Sequence, residues 1–397
     1  MKERIKTLLL EANGAGRNDI IGDTVLRGIL KVSEDFSLPR FFDKYSLTRK
    51  IGYYFKQRYD ALSYAVDWRD ALCAAPELDI ERCNINNLID YRQRRKAIAS
   101  YPLIIILHSA AGDSMSLLLK TAHCFQHRRG KLVMFIGNEY DLMAEKFEFI
   151  RSTGADYVCS QLPIESARWL YAECHPTQVL SMPHALNPTL YNPNESLSRS
   201  LDLGFIGTIY SYFVGDTERT KLIRFFEQHG AELGLKCEVH TTNIPRSEWA
   251  RFLNTCRGIM GSESGSYYLD RKGQIIAQAK AYLEEYPEAA FDEVFKRFFD
   301  SPEVEYVSGK CISSRHFEPI GTKTCQILLE GNYNGILKAD EHYICVKKDL
   351  SNMDDVVRRF KDEAYRRLIV ERSYDYIMST HTYQHRVKAL IKAVIEE

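Results

Sequence analysis

The chain has no surplus of either charge: 53 Lys+Arg stand against 53 Asp+Glu in 397 residues. It therefore lacks the sequence-wide basic footprint of a protein that binds nucleic acid by charge alone, although a local basic pocket stays open. No run approaches the roughly 18 consecutive apolar residues of a membrane span. The longest, Leu103–Leu107 and Leu132–Ile136, are strand-sized. The three leucines at 8–10 are too few for a secretory h-region, so a cytoplasmic chain is expected. None of the ten cysteines forms C-x-x-C, which fits thiols buried in a reducing compartment. There is no low-complexity tract and no repeat at a solenoid period. The 45% apolar and 27% charged fractions exclude wholesale disorder.

Several chemistry-bearing motifs are also missing. Gly321-Thr322-Lys323-Thr324 looks like the end of a P-loop, but Thr322 and Phe317 stand where that loop needs glycine. Gly14-Ala15-Gly16 lacks the third glycine of the dinucleotide fingerprint and follows a stretch that reads as helix. No G-x-S-x-G elbow occurs. His123/His127 and His381/His385 have helical i,i+4 spacing, but neither pair has the Glu of H-E-x-x-H. They read as packing or exposed histidines, and no metal is expected.

What is present is alternation. Residues 1–45 read as helical and then loop-like, and Ile51–Phe55 as a short β-rich run. From Leu78, strand-sized segments alternate with helical ones through Leu103–Leu107, Leu132–Ile136, Tyr157–Ser160 and Thr177–Met182. This predicts parallel βαβ units in a doubly wound sheet. Asn187–Ser200 breaks the rhythm with Pro, Asn and Ser and reads as a linker. Alternation resumes at Asp202–Ile206, Lys236–Thr241, Gly258–Met260, Cys325–Leu329 and His342–Val346. Two α/β domains are expected, 1–195 and 196–380, with a final helix in 381–397 crossing back to the first.

In open α/β sheets ligands bind beyond the carboxyl ends of the strands. Polar loops follow four predicted strands: His108–Asp113, Gly137–Asp141, Pro183–Pro188 and Gly207-Thr208. Two facing domains would turn such edges into a cleft. The basic stretches Arg92–Lys96 and His127–Lys131 could meet anionic lipid or a glycan phosphate, or could simply be solvated helix faces.

Arg315-His316-Phe317-Glu318 followed by Thr324 resembles the R-x-F-E-x-x-x-x-x-T signature of CgeB-like, group 1 glycosyltransferases. His342–Asn352, His381–Arg386, Phe205–Thr208 and Met182–Asn187 resemble four further elements of that family in the same order. The resemblance implies a GT-B fold, two Rossmann-like doubly wound α/β domains facing a cleft. It also implies a nucleotide-sugar donor on the second domain and a glycan, lipid-linked or other acceptor on the first. No nucleic acid and no permanently bound cofactor are implied, and peripheral membrane contact is possible for such an enzyme.

By the same resemblance Glu318 accepts hydrogen bonds from the donor ribose, and His316 and Thr324 join the donor-binding set. Arg315 and Lys347, with Lys323 nearby, would neutralise the diphosphate. Gly207 and Thr208 would offer it backbone N–H groups. A helix-terminal carboxylate and a surface ion pair are the plainer roles for Glu318 and Arg315. One departure stands out: Lys310 occupies the place, eight residues before Glu318, where relatives often carry Glu. The common retaining mechanism is thereby put in question, and an inverting one needs a base in the first domain. Glu139, Asp113 and His108 are the candidates, Glu139 first. A non-catalytic nucleotide- or glycan-binding protein and a nucleotide-sugar epimerase are the alternatives.

Overall fold

The computed structural model describes residues 4–12, 25–26, 28–31, 63–112, 114–242, 244–300 and 307–396. The chain divides into two compact units. Unit 1 comprises 1–182, 271–274 and 387–397, and unit 2 comprises 183–270 and 275–386.

Unit 1 holds a six-stranded, all-parallel sheet in the order β2-β1-β3-β4-β5-β6. The strands are β1 (Ile5–Glu11), β2 (Leu78–Asn84), β3 (Leu103–Ile106), β4 (Lys131–Phe135), β5 (Tyr157–Ser160) and β6 (Gln178–Ser181). The helices between them are α1 (Ser63–Cys73), α2 (Leu88–Lys96), α3 (Ser116–Phe125), α4 (Met143–Thr153) and α5 (Ile164–Leu170). Covered faces explain the continuous apolar runs: all four residues of β3 and of β5 are buried. Edge strand β6, Gln-Val-Leu-Ser, has no fully buried residue.

β1 corrects the helical reading of the N-terminus. Lys, Leu and Glu favour helix locally. Yet Leu8, Leu9 and Leu10 are buried because β1 lies centrally, with Leu8 in register with Glu81 of β2 and Ile104 of β3. Pairing on both sides overrides propensity. Gly14-Ala15-Gly16 therefore follows a strand, not a helix. Residues 14–16, and the β-rich run expected at 51–55, lie outside the described residues.

Unit 2 holds a five-stranded parallel sheet in the order β11-β10-β9-β7-β8. Its strands are β7 (Leu201–Ile206), β8 (Cys237–His240), β9 (Cys256–Gly261), β10 (Cys325–Leu329) and β11 (Ile344–Val346). Its helices are α6 (Glu218–His229), α7 (Arg246–Thr255), α8 (Ile275–Glu285), α9 (Phe291–Phe298), α10 (Ser314–Gly321), α11 (Met353–Lys361) and α12 (Glu363–Thr380). α13 (Tyr383–Ile391) starts in this unit and carries the chain into unit 1.

Two apolar layers sandwich the unit 2 sheet. Leu328 joins Trp249, Leu253, Phe317 and Ile320 on one face, while Ile327 and Leu329 join Ile223, Phe226, Val356 and Phe360 on the other. Gly204 sits within β7 because a Cβ there would meet Cys256 Sγ at 2.6 Å and the Phe252 ring at 2.7 Å. Each unit is thus a Rossmann-like, doubly wound α/β layer structure, the fold class expected from the alternation.

α10 forms although it contains Pro319 and Gly321. Its first turn is fixed by a capping box, in which the Ser313 hydroxyl and the His316 ring satisfy each other's backbone.

Candidate active site in unit 2

β7 is flanked by β8 on one side and β9 on the other, so the connections leave it in opposite directions at the β7/β9 boundary. This is the switch point at which doubly wound sheets bind ligands. A cavity of about 220 Å³ lies there. The ends of β7 (Gly207, Thr208) and β9 (Gly261, Ser262) form one part of its wall, with Tyr210, Arg219, Trp249, Ser313, Arg315 and His316 around them.

Two cations face this space. Arg219, in the first turn of α6, places its guanidinium 4.7 Å from the centre of the Tyr210 ring and 5.3 Å from that of Phe205. Arg315, in the first turn of α10, lies 4.3 Å over the Trp249 ring. Among the described residues, neither makes an ion pair with a carboxylate. Stacking orients each guanidinium without neutralising it.

Trp249 is held in turn. Its indole N–H donates to Glu318 Oε2 at 2.7 Å, and its ring stacks with Phe252 at 5.8 Å. Glu318 is only 3% exposed and does not line the cavity. The structure therefore places it behind the platform that carries Arg315. His316 is buried and donates from Nε2 to the Ser262 carbonyl at 3.0 Å, while Nδ1 accepts from the Ser313 N–H at 3.0 Å. Burial, with Arg219 adding to it, pushes its pKa down to about 4, so the ring is neutral and locks α10 to the end of β9.

The remaining predicted donor residues disperse. Thr324 is buried, donating to Leu253 O at 2.8 Å and accepting from Arg199. Lys347 is exposed beyond β11 and is not on the cavity wall. Lys323 pairs with Glu371 at 2.6 Å under the Tyr374 ring. Neither Lys323 nor Lys347 lines the cavity that Arg315 lines; Arg219 is the other cation on its wall. Gly207 lines the cavity, but its N–H donates to His240 O at 3.0 Å and is committed to the sheet.

Lys310 is buried, with Nζ 2.7 Å from Asp216 Oδ2 and 4.6 Å from the Tyr267 ring centre. A carboxylate that the sequence reading passed over lies on the same edge. Glu263 follows β9 between Ser262 and Ser264, two cavity residues. Its Oε1 accepts the Tyr333 N–H at 2.6 Å, and burial raises its pKa while Lys310 and Lys348 oppose the rise. Gly-Ser-Glu-Ser-Gly directly after a strand was the available signal.

In unit 1, Glu139 is 6% exposed with both oxygens occupied. Oε1 accepts from Ser160 at 2.6 Å and Tyr171 at 2.7 Å, and Oε2 accepts from the Gln161 N–H at 2.9 Å. Burial raises its pKa. The wholly buried Lys146 donates to the carbonyls of Gly137, Asn138 and Asp141. Together they tie the loop after β4 to β5, and both Glu139 oxygens take part in that tie. His108 is buried against Trp68, Phe135 and Tyr64. Asp113 lies outside the described residues.

The closing His381–Arg386 segment meets Pro183–Asn187 within unit 2. Arg386 Nε donates to Pro183 O at 3.0 Å, and Leu186 N to His381 O at 2.9 Å. His385 Nδ1 and the Thr382 hydroxyl lie 2.7 Å apart. These histidines cap and close a loop. Among the described residues no group of three or more His, Cys, Asp or Glu is placed to hold a metal ion, and no helix is long and apolar enough to cross a membrane.

A doubly wound unit with two arginines at its switch point offers positive charge where such sheets hold ligands. Residues 219–392, from Arg219 onward, match the family model described as glycosyl transferase-like. No curated protein matches the chain. Among solved structures it is similar to Anabaena Alr3699/HepE in complex with UDP and glucose, at 8% identity and TM-score 0.49, covering 99% of this chain and 100% of that one. A glycosyltransferase from Rickettsia africae is similar at 9% identity and TM-score 0.49, covering 99% and 98%. A UDP-forming trehalose-phosphate synthase from Burkholderia vietnamiensis is similar at 12% identity and TM-score 0.43, covering 99% of both chains.

Proposed function

We propose that this chain is a glycosyltransferase that moves a sugar from a nucleotide-sugar donor held by unit 2 to a glycan or lipid-linked acceptor, working in the cytoplasm at or near a membrane face. The observation that carries the reading is the switch-point cavity with Arg219 and Arg315 stacked on aromatic rings and unpaired with acid. The family match over the same stretch supports it.

The chemistry follows from where charge develops. As the bond from the anomeric carbon to the diphosphate breaks, its electron pair goes to the phosphate oxygen. Two guanidinium groups already oriented there stabilise the leaving group more than the intact donor. With the Gly207 N–H committed, the arginines carry that task. Tyr210 and Trp249 offer faces for a nucleoside base. Glu263, between the cavity residues Ser262 and Ser264, is the carboxylate this reading offers for the place that Lys310 vacates.

Calorimetric titration with UDP, GDP, ADP and dTDP tests the donor site. Each arginine removed should cost about 1.5–3 kcal/mol of binding, roughly tenfold or more. At least one diphosphate should bind, and Arg219→Ala and Arg315→Ala should each weaken it by that factor. Failure of all four to bind, or binding indifferent to both variants, refutes the donor site. Product analysis with the matching nucleotide sugar then separates the activities: an epimerised nucleotide sugar, or a bound sugar never released or transferred, removes the transferase reading.

A further inference from the structure

The donor site leaves the basic stretch His127–Lys131 unused. Arg128 is spent within the fold, donating to Thr153 O at 2.6 Å and pairing with Asp156 at 2.9 Å. Arg129 and Lys131 instead line a cavity of about 600 Å³ in unit 1, larger than the one at the switch point. It lies at the starts of β1, β3 and β4, the edge opposite to the strand ends where doubly wound sheets take their ligands. Gly130 shapes its wall. A Cβ there would collide with the Tyr101 and Pro102 carbonyls, and the Lys131 N–H donates to Pro102 O at 3.0 Å. This close approach seats the Arg129–Lys131 turn against the start of β3. Four cations and no carboxylate stand on the wall: Arg4, Lys6, Arg129 and Lys131. Lys6 is balanced by Glu81 at 3.0 Å. Arg4 donates from Nε to Leu78 O at 3.0 Å, and Lys131 from Nζ to Val394 O at 2.5 Å. Those acceptors are neutral carbonyls, so neither charge is cancelled. Arg129 is exposed and makes no hydrogen bond or ion pair among the described residues.

From this we infer that the cavity is a second ligand site, one for a soluble organic phosphate. The phosphate meets the Arg129–Lys131 turn, and the carbon skeleton lies on the apolar part of the wall, which Leu103, Val394 and Ile395 supply. A guanidinium and an ammonium two residues apart, with no acid beside them on the wall, suit a phosphate. The volume falls within the roughly 300–1,000 Å³ of small-molecule pockets and leaves room for more than an inorganic ion. A nucleic acid fits worse, since its backbone asks for a basic stripe along a face, not charge gathered in one concavity. Because the site lies away from the ligand-binding edge of the sheet, its occupant is an effector, neither donor nor acceptor. Lys131 already holds Val394 in the last turn, Lys392–Glu396, so the occupant adds its contacts to the segment that follows α13. The inference goes beyond the proposed function and does not depend on it.

The test is calorimetric titration of the full chain carrying Arg219→Ala and Arg315→Ala, which removes the switch-point arginines, at roughly 0.15 M salt. The probe is naphthyl phosphate, with inorganic phosphate and naphthol as its two halves. Naphthyl phosphate is expected to bind at a single site and more tightly than either half. Adding Arg129→Ala should weaken it roughly tenfold. The thermal midpoint of the free protein should not move, because Arg129 supports no other group. Lys236→Ala, an exposed cation of unit 2, should leave the affinity as it is. Absent binding, binding no tighter than that of inorganic phosphate, or an affinity indifferent to Arg129→Ala overturns the inference and leaves the donor reading standing. So does co-sedimentation with phosphatidate vesicles that Arg129→Ala abolishes and naphthyl phosphate does not compete away, which would assign these cations to a lipid headgroup.

Discussion

Glu318 offers the sharpest separation between a contact role and a positioning role. The family resemblance makes it a direct acceptor for ribose hydroxyls, whereas the structure gives its Oε2 to the Trp249 indole and keeps it off the cavity wall. Trp249→Phe removes that donor and keeps a ring for Arg315. A hydrogen bond to a charged group is worth about 1.5–3 kcal/mol, and unfolding by urea should show a loss of that size. Glu318→Gln keeps an acceptor of the same shape, so it should cost roughly half as much. In a double-mutant cycle the two changes should couple by about 1 kcal/mol or more, as expected of groups in contact. Binding separates the two roles further. If Glu318 acts through Trp249, both variants weaken nucleoside diphosphates and their 2′-deoxy forms by the same factor, because only Arg315 is misplaced. Titration of each variant with UDP and 2′-deoxy-UDP reads this ratio. A ribose preference present in the wild type and erased by Glu318→Gln, with Trp249→Phe retaining it, would refute the positioning argument and restore the direct contact.

Two further outcomes follow from buried charge. Lys310→Met should destabilise unit 2 by about 3–5 kcal/mol by stranding Asp216, and Lys310→Met with Asp216→Leu should recover most of the loss; urea midpoints for the three proteins check this, and a double variant no better than the single one contradicts it. His316 is held neutral, its pKa lowered from 6.5 to about 4, so the unfolded chain binds the proton first. Its contribution is whole above about pH 6.5 and is lost as pH falls toward 4, amounting to about 2 kcal/mol between pH 7 and pH 4.5. His316→Gln keeps both a donor for Ser262 and an acceptor for Ser313, and should flatten the acid limb of the stability–pH curve by that amount. An unchanged limb would show that the ring titrates alike in the folded and unfolded chain.

How far the site was legible depended on what kind of signal each residue gives. The sheets were readable because strands covered on both faces read as near-continuous apolar runs, as β3 does throughout and β10 does apart from Gln326. β1 escaped because its flanking Lys and Glu are helix formers and its central position depends on partners some 70 and 95 residues away. Arg315 was found because it sits in a local pattern, and Arg219 was missed because nothing near it in sequence marks it. The β7–β9 and β9–β10 pairings together bring the start of α6 and the start of α10 to one cavity. The same logic explains why Lys323 and Lys347 were overvalued. Both lie close to Arg315 or to a family pattern along the chain, but Lys323 leaves α10 toward Glu371 on α12. Lys347 leaves an edge strand two positions from the switch point. A cation's role at a doubly wound edge is fixed by the strand it follows and the face it leaves from. Those come from sheet order, which no local motif encodes. The next residues to weigh are therefore those at the ends of β7 and β9, Thr208 and Glu263 foremost, ahead of further conspicuous residues in the 312–326 signature.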